Sequence, residues 1–281
     1  VIALRFVLFL AGLLVVWRFF LWHPRKLLGV NRKLPLLLGH RGVRGKRPEN
    51  TIEAFTLAFE SDLDGIECDV QRSKDGELVL FHDFEIYGKT LNKLTYLHIK
   101  SLDSQIPKLS ELFELSQQYP GTLLNIELKT ERLGTDGLEK DTVALIRTWG
   151  LEDRVLISSF NPMSLLRVRF LAPDIRVGLL YYDDMRWWLR NGMLAGWLHV
   201  DAIHPYHPQV SPQLISWAKV RNLMVNTWTV NEAMRISSLH AMGITAIIGD
   251  DPEVLKGSLV RDDWREKVDD SKVQTDYIKQ P

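Results

Sequence analysis

A closed (β/α)8 barrel of the TIM type is the fold class this 281-residue chain predicts, and three observations predict it. Short apolar, β-branched runs alternate with helical patterns from residue 35 almost to the end. The spacing from run to run suits parallel strands joined by helical crossovers. Histidines and carboxylates stand at the ends of several runs, where a barrel gathers its chemistry.

Residues 1–22 precede the barrel and are almost wholly apolar, broken by Arg5, Gly12 and Arg18. At about 1.5 Å per residue, such a stretch is long enough for a hydrocarbon core of about 30 Å. Trp17, Arg18 and Trp22 suit an interface at one end. The reading is a single-pass transmembrane anchor, with a signal peptide and an interfacial or core helix as the alternatives. A basic linker over 23–34 follows, carrying Arg25, Lys26, Arg32 and Lys33, and the positive-inside tendency then faces the domain that follows to the cytoplasm. The barrel domain occupies 35–259, and 260–281 read as a polar, aperiodic tail.

Within the domain, strands are predicted over 35–39, 65–70, 78–81, 123–128, 155–159, 175–180, 202–203, 223–227 and 245–248. Helices are predicted over 51–60, 138–149, 162–171, 212–220 and 231–242. That makes one strand too many for eight. Only eight residues, with the turn signal Lys74-Asp75-Gly76, separate Asp69 from Leu78, too few for a crossover helix. The run 78–81 therefore folds back as a hairpin, which brings His82 near Glu67. The segment 84–107 lacks a firm period and reads as a loop with one helical turn. Residues 182–199 hold Trp187, Trp188 and Trp197 and read as a barrel helix packing aromatics, or as an interfacial patch.

Composition narrows the function classes. Formal net charge is zero, which gives no basis for non-specific nucleic-acid binding. The single cysteine, Cys68, rules out an internal disulfide. It lies between Glu67 and Asp69, so it points behind the strand and reads as a small core residue.

The chemistry lies at the strand ends. Glu67 and Asp69 are two apart and share the inner face, and Glu127 ends another inner strand. Three crowded carboxylates repel unless something positive sits between them, and a divalent cation with oxygen preference, Mg2+ or Ca2+, is the natural occupant. A network paired with Arg41 and Lys129 is the metal-free alternative. His40 and His82 across that site suit general acid and base, because an imidazole pKa of about 6.5 lets one ring be neutral while the other is charged. Arg41 and Lys129 suit phosphate oxygens. Glu49 suits a supporting role, Asn50 or Thr51 an N-cap, and His204 is a further histidine at a strand tip.

Taken together these elements resemble the glycerophosphodiester phosphodiesterase family. The matching motifs are His40-Arg41-Gly42, Pro48-Glu49-Asn50-Thr51, Glu67-Cys68-Asp69-Val70, His82-Asp83, Asn125-Ile126-Glu127-Leu128-Lys129, Ser158-Ser159-Phe160, Trp228-Thr229-Val230-Asn231 and Ile248-Gly249-Asp250. They run in family order over residues 36–255. The resemblance implies a TIM barrel of the phospholipase C-like phosphodiesterase type, a divalent metal on Glu67, Asp69 and Glu127, and acid/base roles for His40 and His82. It also implies phosphate contacts from Arg41 and Lys129, support from Glu49, and substrate walls at Phe160 and Trp228. Family members hydrolyse glycerophosphodiesters to an alcohol and sn-glycerol 3-phosphate, a neighbouring glycerol hydroxyl attacking first. A lysophospholipase D acting on lysophospholipids at the membrane is the alternative, and a non-catalytic membrane-tethered barrel a remote one. The chain departs from the family in the loop 84–90, in a short cover ending near 107–109, and in Gly249 where threonine is more usual.

Overall fold

The computed structural model describes residues 2–20, 22–26, 34–131 and 133–259. In chain order the elements are α1 (Ile2–Phe20), β1 (Leu36–Gly39), α2 (Ile52–Glu60), β2 (Gly65–Arg72), β3 (Leu78–Leu80), β4 (Glu85–Ile86), β5 (Lys89–Thr90), α3 (Tyr96–Leu102) and α4 (Leu109–Ser116). Then follow β6 (Leu123–Leu128), α5 (Leu138–Trp149), β7 (Val155–Ser159), α6 (Pro162–Leu171), β8 (Arg176–Tyr181), β9 (Ala202–Pro205), α7 (Pro212–Val220), β10 (Met224–Thr227), α8 (Ala233–Ala241) and β11 (Ala246–Gly249). A last helical stretch covers 252–259.

Eight parallel strands, β1, β2 and β6 to β11, close into a ring, sealed where β1 pairs with both β11 and β2. The ninth run folds back as expected: β3 pairs antiparallel with β2, Val70 opposite Leu80. Alternation along each strand divides the core in two. Ile66, Cys68 and Val70, with Ile126, Leu128, Val155 and Ile157, face outward and pack in the main cluster with the helices. Inward-facing Leu36, Leu38, Leu123, Ala246 and Ile248, with Leu156, Ala202 and Met224, form apolar layers inside the barrel. Cys68 is buried in the outer layer, where desolvation pushes its thiol well above the usual value.

The segment 84–107 holds more structure than its sequence suggests. It forms the β4–β5 hairpin, a turn of 3-10 helix and α3. Ile86, Leu91, Ile99 and Ile106 close over Val79 as a small separate core. Their apolar residues are shared among elements too short to show a period. Residues 183–199, predicted as a helix, form successive turns instead, with Gly192 in a left-handed conformation.

The N-terminal segment corrects the membrane reading. Among the described residues no helix is long and apolar enough to cross a membrane. The reason lies at the end of α1, where Trp17 is held against the barrel. Its indole N–H donates to the Trp197 carbonyl at 3.1 Å, its own carbonyl accepts from His199 Nε2 at 2.6 Å, and the two rings stack at 4.0 Å. Between Arg5 and that docked residue only 6–16 remain, about 16 Å of helix against about 30 Å of hydrocarbon. A single-pass anchor is therefore withdrawn, and with it the cytoplasmic orientation, since the positive-inside argument has no span to orient.

Residues 22–26, which run into the predicted linker, strap the floor of the barrel. The Arg25 backbone N–H donates to Asp201 Oδ1 at 2.8 Å, its guanidinium reaches the carbonyls of Asp174 and Ile175, and the Pro24 carbonyl accepts from Asn222. Arg169 lies 3.7 Å from the Trp22 ring and 2.7 Å from Asp201 Oδ2, which also accepts from the Val177 N–H. Removing the guanidinium takes the nearer of two cations from a fully buried carboxylate and leaves it Arg25, whose Nε is 3.6 Å from Asp201 Oδ1. Arg169→Ala is expected to cost about 3 kcal/mol of unfolding free energy, the low end for breaking a buried pair because Arg25 remains, read from urea midpoints. Linker residues 27–33 and the tail 260–281 lie outside the described residues.

Candidate active site

The site residues gather at the ring's C-terminal mouth. At the end of β1 the His40 N–H donates to the Gly249 carbonyl at 2.8 Å, tying the first strand to the last. A different close approach accounts for the glycine in the closing motif: a Cβ on Gly249 would sit 2.6 Å from the Val230 carbonyl oxygen. His40 is buried, and its Nδ1 lies 2.6 Å from Asp250 Oδ1. Asp250 is braced in turn by Asn231, whose Nδ2 donates to Oδ2 at 2.6 Å and whose Oδ1 accepts from the Asp250 N–H. Burial disfavours the ionised acid here, but the bonds from His40 and Asn231 prevail and hold Asp250 below the usual carboxylate value.

On β2 and β6, Glu67, Asp69 and Glu127 place one oxygen each within 4.8 Å of the others, all three side chains buried. Burial, then the charges of its two neighbours, pushes Glu67 well above its normal value. Burial and Asp69 push Glu127 up to about 7, against the opposing pull of Lys129. Asp69 Oδ1 is buried and accepts no hydrogen bond from any described residue. Three hard oxygen donors, one of them orphaned, fit a divalent cation of the Mg2+ or Ca2+ kind. A purely ionic network fits less well, because the cations at hand are shared out: Lys129 Nζ is 3.1 Å from Glu127 and 3.8 Å from Asp69, while Arg41 divides between Asp69 and Glu49.

Arg41 and Asn50 bracket a tight loop, both with left-handed backbones (φ 50° and 55°). Asn50 is not the N-cap of α2; Thr51 is, accepting from the Ala54 N–H. Asn50 instead clamps Asp69, its amide donating to Oδ2 at 2.9 Å and its carbonyl accepting the Asp69 N–H at 3.1 Å. Glu49 lies outside the acidic cluster and holds Arg41 at 2.7 Å and Arg44 at 2.8 Å.

His82 follows the hairpin strand β3. Gln71 fixes its loop by donating to the carbonyls of Phe81 and Asp83, both at 2.8 Å. The His82 ring is partly exposed, with Nδ1 2.7 Å from Asp83. Burial lowers its pKa, helped by Lys129 and Arg41 and opposed by Asp69. The far wall is aromatic: Phe160 stands edge-on to Trp228 at 5.4 Å and to Tyr182 at 5.7 Å, and the Trp228 indole donates to the His204 carbonyl.

Together these groups line one cavity of about 290 Å3, which His40, Arg41, Glu67, His82, Glu127, Lys129, Phe160 and Trp228 share. A larger cavity of about 340 Å3 beside the strap has no carboxylate in its lining, so size alone does not mark a site. The candidate residues His40, Arg41, Glu49, Glu67, Asp69, His82, Glu127, Lys129, Phe160 and Trp228 thus line the cavity or touch a residue that does, while His204 lies inside the barrel with no exposure. Asp250, Asn231, Gln71 and the clamping role of Asn50 were missed. Only the Asp250 and Asn231 motifs carried a signal, and nothing in the sequence linked them to His40.

Comparison with known proteins points the same way. The chain is 36% identical over 242 residues to a glycerophosphodiester phosphodiesterase of Caldanaerobacter subterraneus, covering 78% of this chain and 96% of that one. A second, from Bacillus altitudinis, is 32% identical over 238 residues, 77% of this chain and 95% of its own. Among solved structures, an Oleispira antarctica phosphodiesterase in complex with the product sn-glycerol 3-phosphate superposes with a TM-score of 0.68 at 28% identity, over 80% of this chain and 96% of that one. A glycerophosphodiester phosphodiesterase from Parabacteroides distasonis gives 0.70 at 25%, over 81% and 98%. The family model for glycerophosphoryl diester phosphodiesterases matches residues 40–254, from the first histidine of the site to beyond its bracing aspartate, and the chain belongs to that family.

Proposed function

We propose that the protein hydrolyses glycerophosphodiesters to an alcohol and sn-glycerol 3-phosphate, His40 and His82 serving as the proton-transfer pair. The observation that carries this reading is the pairing of each ring: both lie with Nδ1 against an aspartate and both line the cavity of the three buried acids. An Nδ1–H bonded to carboxylate fixes the tautomer and leaves Nε2 as the reacting nitrogen. One ring takes the proton from the attacking hydroxyl while the other supplies one to the departing alcohol, and the roles exchange when water opens the resulting ester. Asp250 and Asp83 stabilise whichever ring is charged.

Glu67, Asp69 and Glu127 would hold a divalent cation, which when bound neutralises charge on the phosphoryl oxygens. Arg41 and Lys129 add fixed positive charge for those same oxygens. Both stay protonated: burial works against their charge, but Asp69 with Glu67 and Glu49 for Arg41, and Glu127 with Asp69 for Lys129, raise their pKa values. Phe160 and Trp228 form the wall against which the organic part of the ester packs. Glu49 keeps Arg41 aimed inward.

Purified protein is expected to release glycerol 3-phosphate from glycerophosphocholine, to stop when a chelator is added, and to recover with excess Mg2+ or Ca2+. Turnover that persists in chelator would remove the metal from this account. Absence of glycerol 3-phosphate from every glycerophosphodiester tried would remove the function.

A further inference from the structure

Beneath the acidic residues the barrel interior carries a second, uncharged polar tier that the reaction described above does not use. Its members are Asn125 of β6, Ser158 of β7, His204 of β9 and Asn226 of β10, all at most 1% exposed. Asn125 Nδ2 donates to Ser158 Oγ at 3.1 Å, and Asn226 Nδ2 lies 3.1 Å from His204 Nε2. An amide NH2 can only donate, so Nε2 is the acceptor and the ring proton sits on Nδ1. Burial keeps that ring neutral, its pKa pushed down to about 3.

The tier is incompletely satisfied. His204 Nδ1, Asn125 Oδ1 and Asn226 Oδ1 are buried and have no hydrogen-bond partner among the described residues. One donor and two acceptors are thus left without bonds, where packing alone would have chosen the aliphatic side chains of the layer below, Leu156, Ala202 and Met224. The fold also makes room for the imidazole: a Cβ on Gly178 would sit 2.5 Å from His204 Nε2. The active-site cavity reaches this tier at Asn125 and Ser158. Asn125 is two residues below Glu127 on the same strand, a drop of about 6.6 Å, which a three-carbon arm hanging from a phosphorus at the acidic tier covers.

No group here is charged, so neither phosphate nor ammonium is served. A hydroxyl, which both donates and accepts, is. We propose that this tier is a hydroxyl-reading subsite that takes the terminal primary hydroxyl of the glyceryl unit, and so selects unacylated glycerol diesters against lysophospholipids acylated at that oxygen. The inference rests on the diesterase reading above.

The test compares kcat/KM for glycerophosphocholine, for its 1-deoxy analogue, which keeps the secondary hydroxyl, and for 1-acyl lysophosphatidylcholine, in the wild type, Asn125→Leu and Ser158→Ala. The wild type is expected to favour glycerophosphocholine over the deoxy compound by about tenfold, and over the lysolipid by more. Asn125→Leu is expected to shrink the first ratio to within about threefold, losing rate on the glycerol diester while keeping it on the analogue. Ser158→Ala, the milder change, should move in the same direction and covers the case in which Asn125→Leu does not fold. Equal wild-type rates on the three substrates, or variants that depress the diester and its analogue alike, would reduce the tier to a buried hydration site and overturn the inference alone. A wild type inactive on every diester would overturn the reading beneath it as well.

Discussion

His82→Ala lowers kcat on glycerophosphocholine by at least about a hundredfold, the low end of what a positioned proton donor or acceptor contributes, with KM changed little. His82 sits at a partly exposed loop held by Gln71 through backbone carbonyls, so its ring can be removed without disturbing that loop. His40→Ala has an effect of similar size on kcat. It costs some stability as well, because the ring is buried and the Asp250 carboxylate it leaves keeps only the hydrogen bond from Asn231 Nδ2. Two rings that hand one proton across one ester act as a unit, and the double variant should be little worse than the worse single one. Turnover and far-ultraviolet circular dichroism on the three proteins check this together. Wild-type kcat in either folded single variant would refute the paired-imidazole mechanism.

The site was legible in the sequence to the extent that strand periodicity is. Glu67 and Asp69 share a face because residues two apart on a strand must, and the shortness of the link to Leu78 forced the hairpin that delivers His82. What escaped notice depends on chain closure. Asp250 braces His40 across 210 residues of sequence, a contact created only when β11 comes round to pair with β1. Asn50 looked like a helix cap because it precedes one, and its left-handed backbone, which turns it toward Asp69 instead, is a property of the folded loop. The N-terminal run misled for the opposite reason. Hydropathy counts apolar residues and takes no account of a tryptophan such as Trp17 docked against the domain by its own carbonyl and indole. Inside the barrel, Asn226 read as an ordinary strand residue, and nothing in the sequence brought His204, marked only as a strand-tip histidine, together with it and Asn125.

In chelator, the wild type is expected to lose stability relative to Glu127→Gln as pH rises from about 4.5 to about 7, a comparison that cancels buried His204, whose pKa is pushed down to about 3 and which acts with the opposite sign. In the unfolded chain Glu127 titrates at its ordinary value, whereas burial and the charge of Asp69 push it up to about 7 in the folded protein. Between those values the folded chain keeps a proton that the unfolded chain has released. The stabilisation is therefore complete below the unfolded value and is lost as pH rises through the folded one, by up to about 3 kcal/mol from this group alone. Glu67, pushed upward chiefly by burial, adds to the slope with the same sign. Saturating Mg2+ or Ca2+ should reverse the trend. A cation binds the ionised carboxylates, so its stabilisation grows as they deprotonate, reaching about 2.7 kcal/mol at a hundredfold excess over its dissociation constant. Glu127→Gln should lack this loss, because an amide has no proton to release, and should weaken the cation's effect in the same protein. Urea midpoints at pH 5 and pH 7.5, in chelator and in excess cation, distinguish the cases. A wild-type midpoint in chelator that does not fall relative to that of Glu127→Gln between pH 5 and pH 7.5 would show that burial and Asp69 do not hold the proton on Glu127, and the case for a cation between the three acids would lose its electrostatic ground.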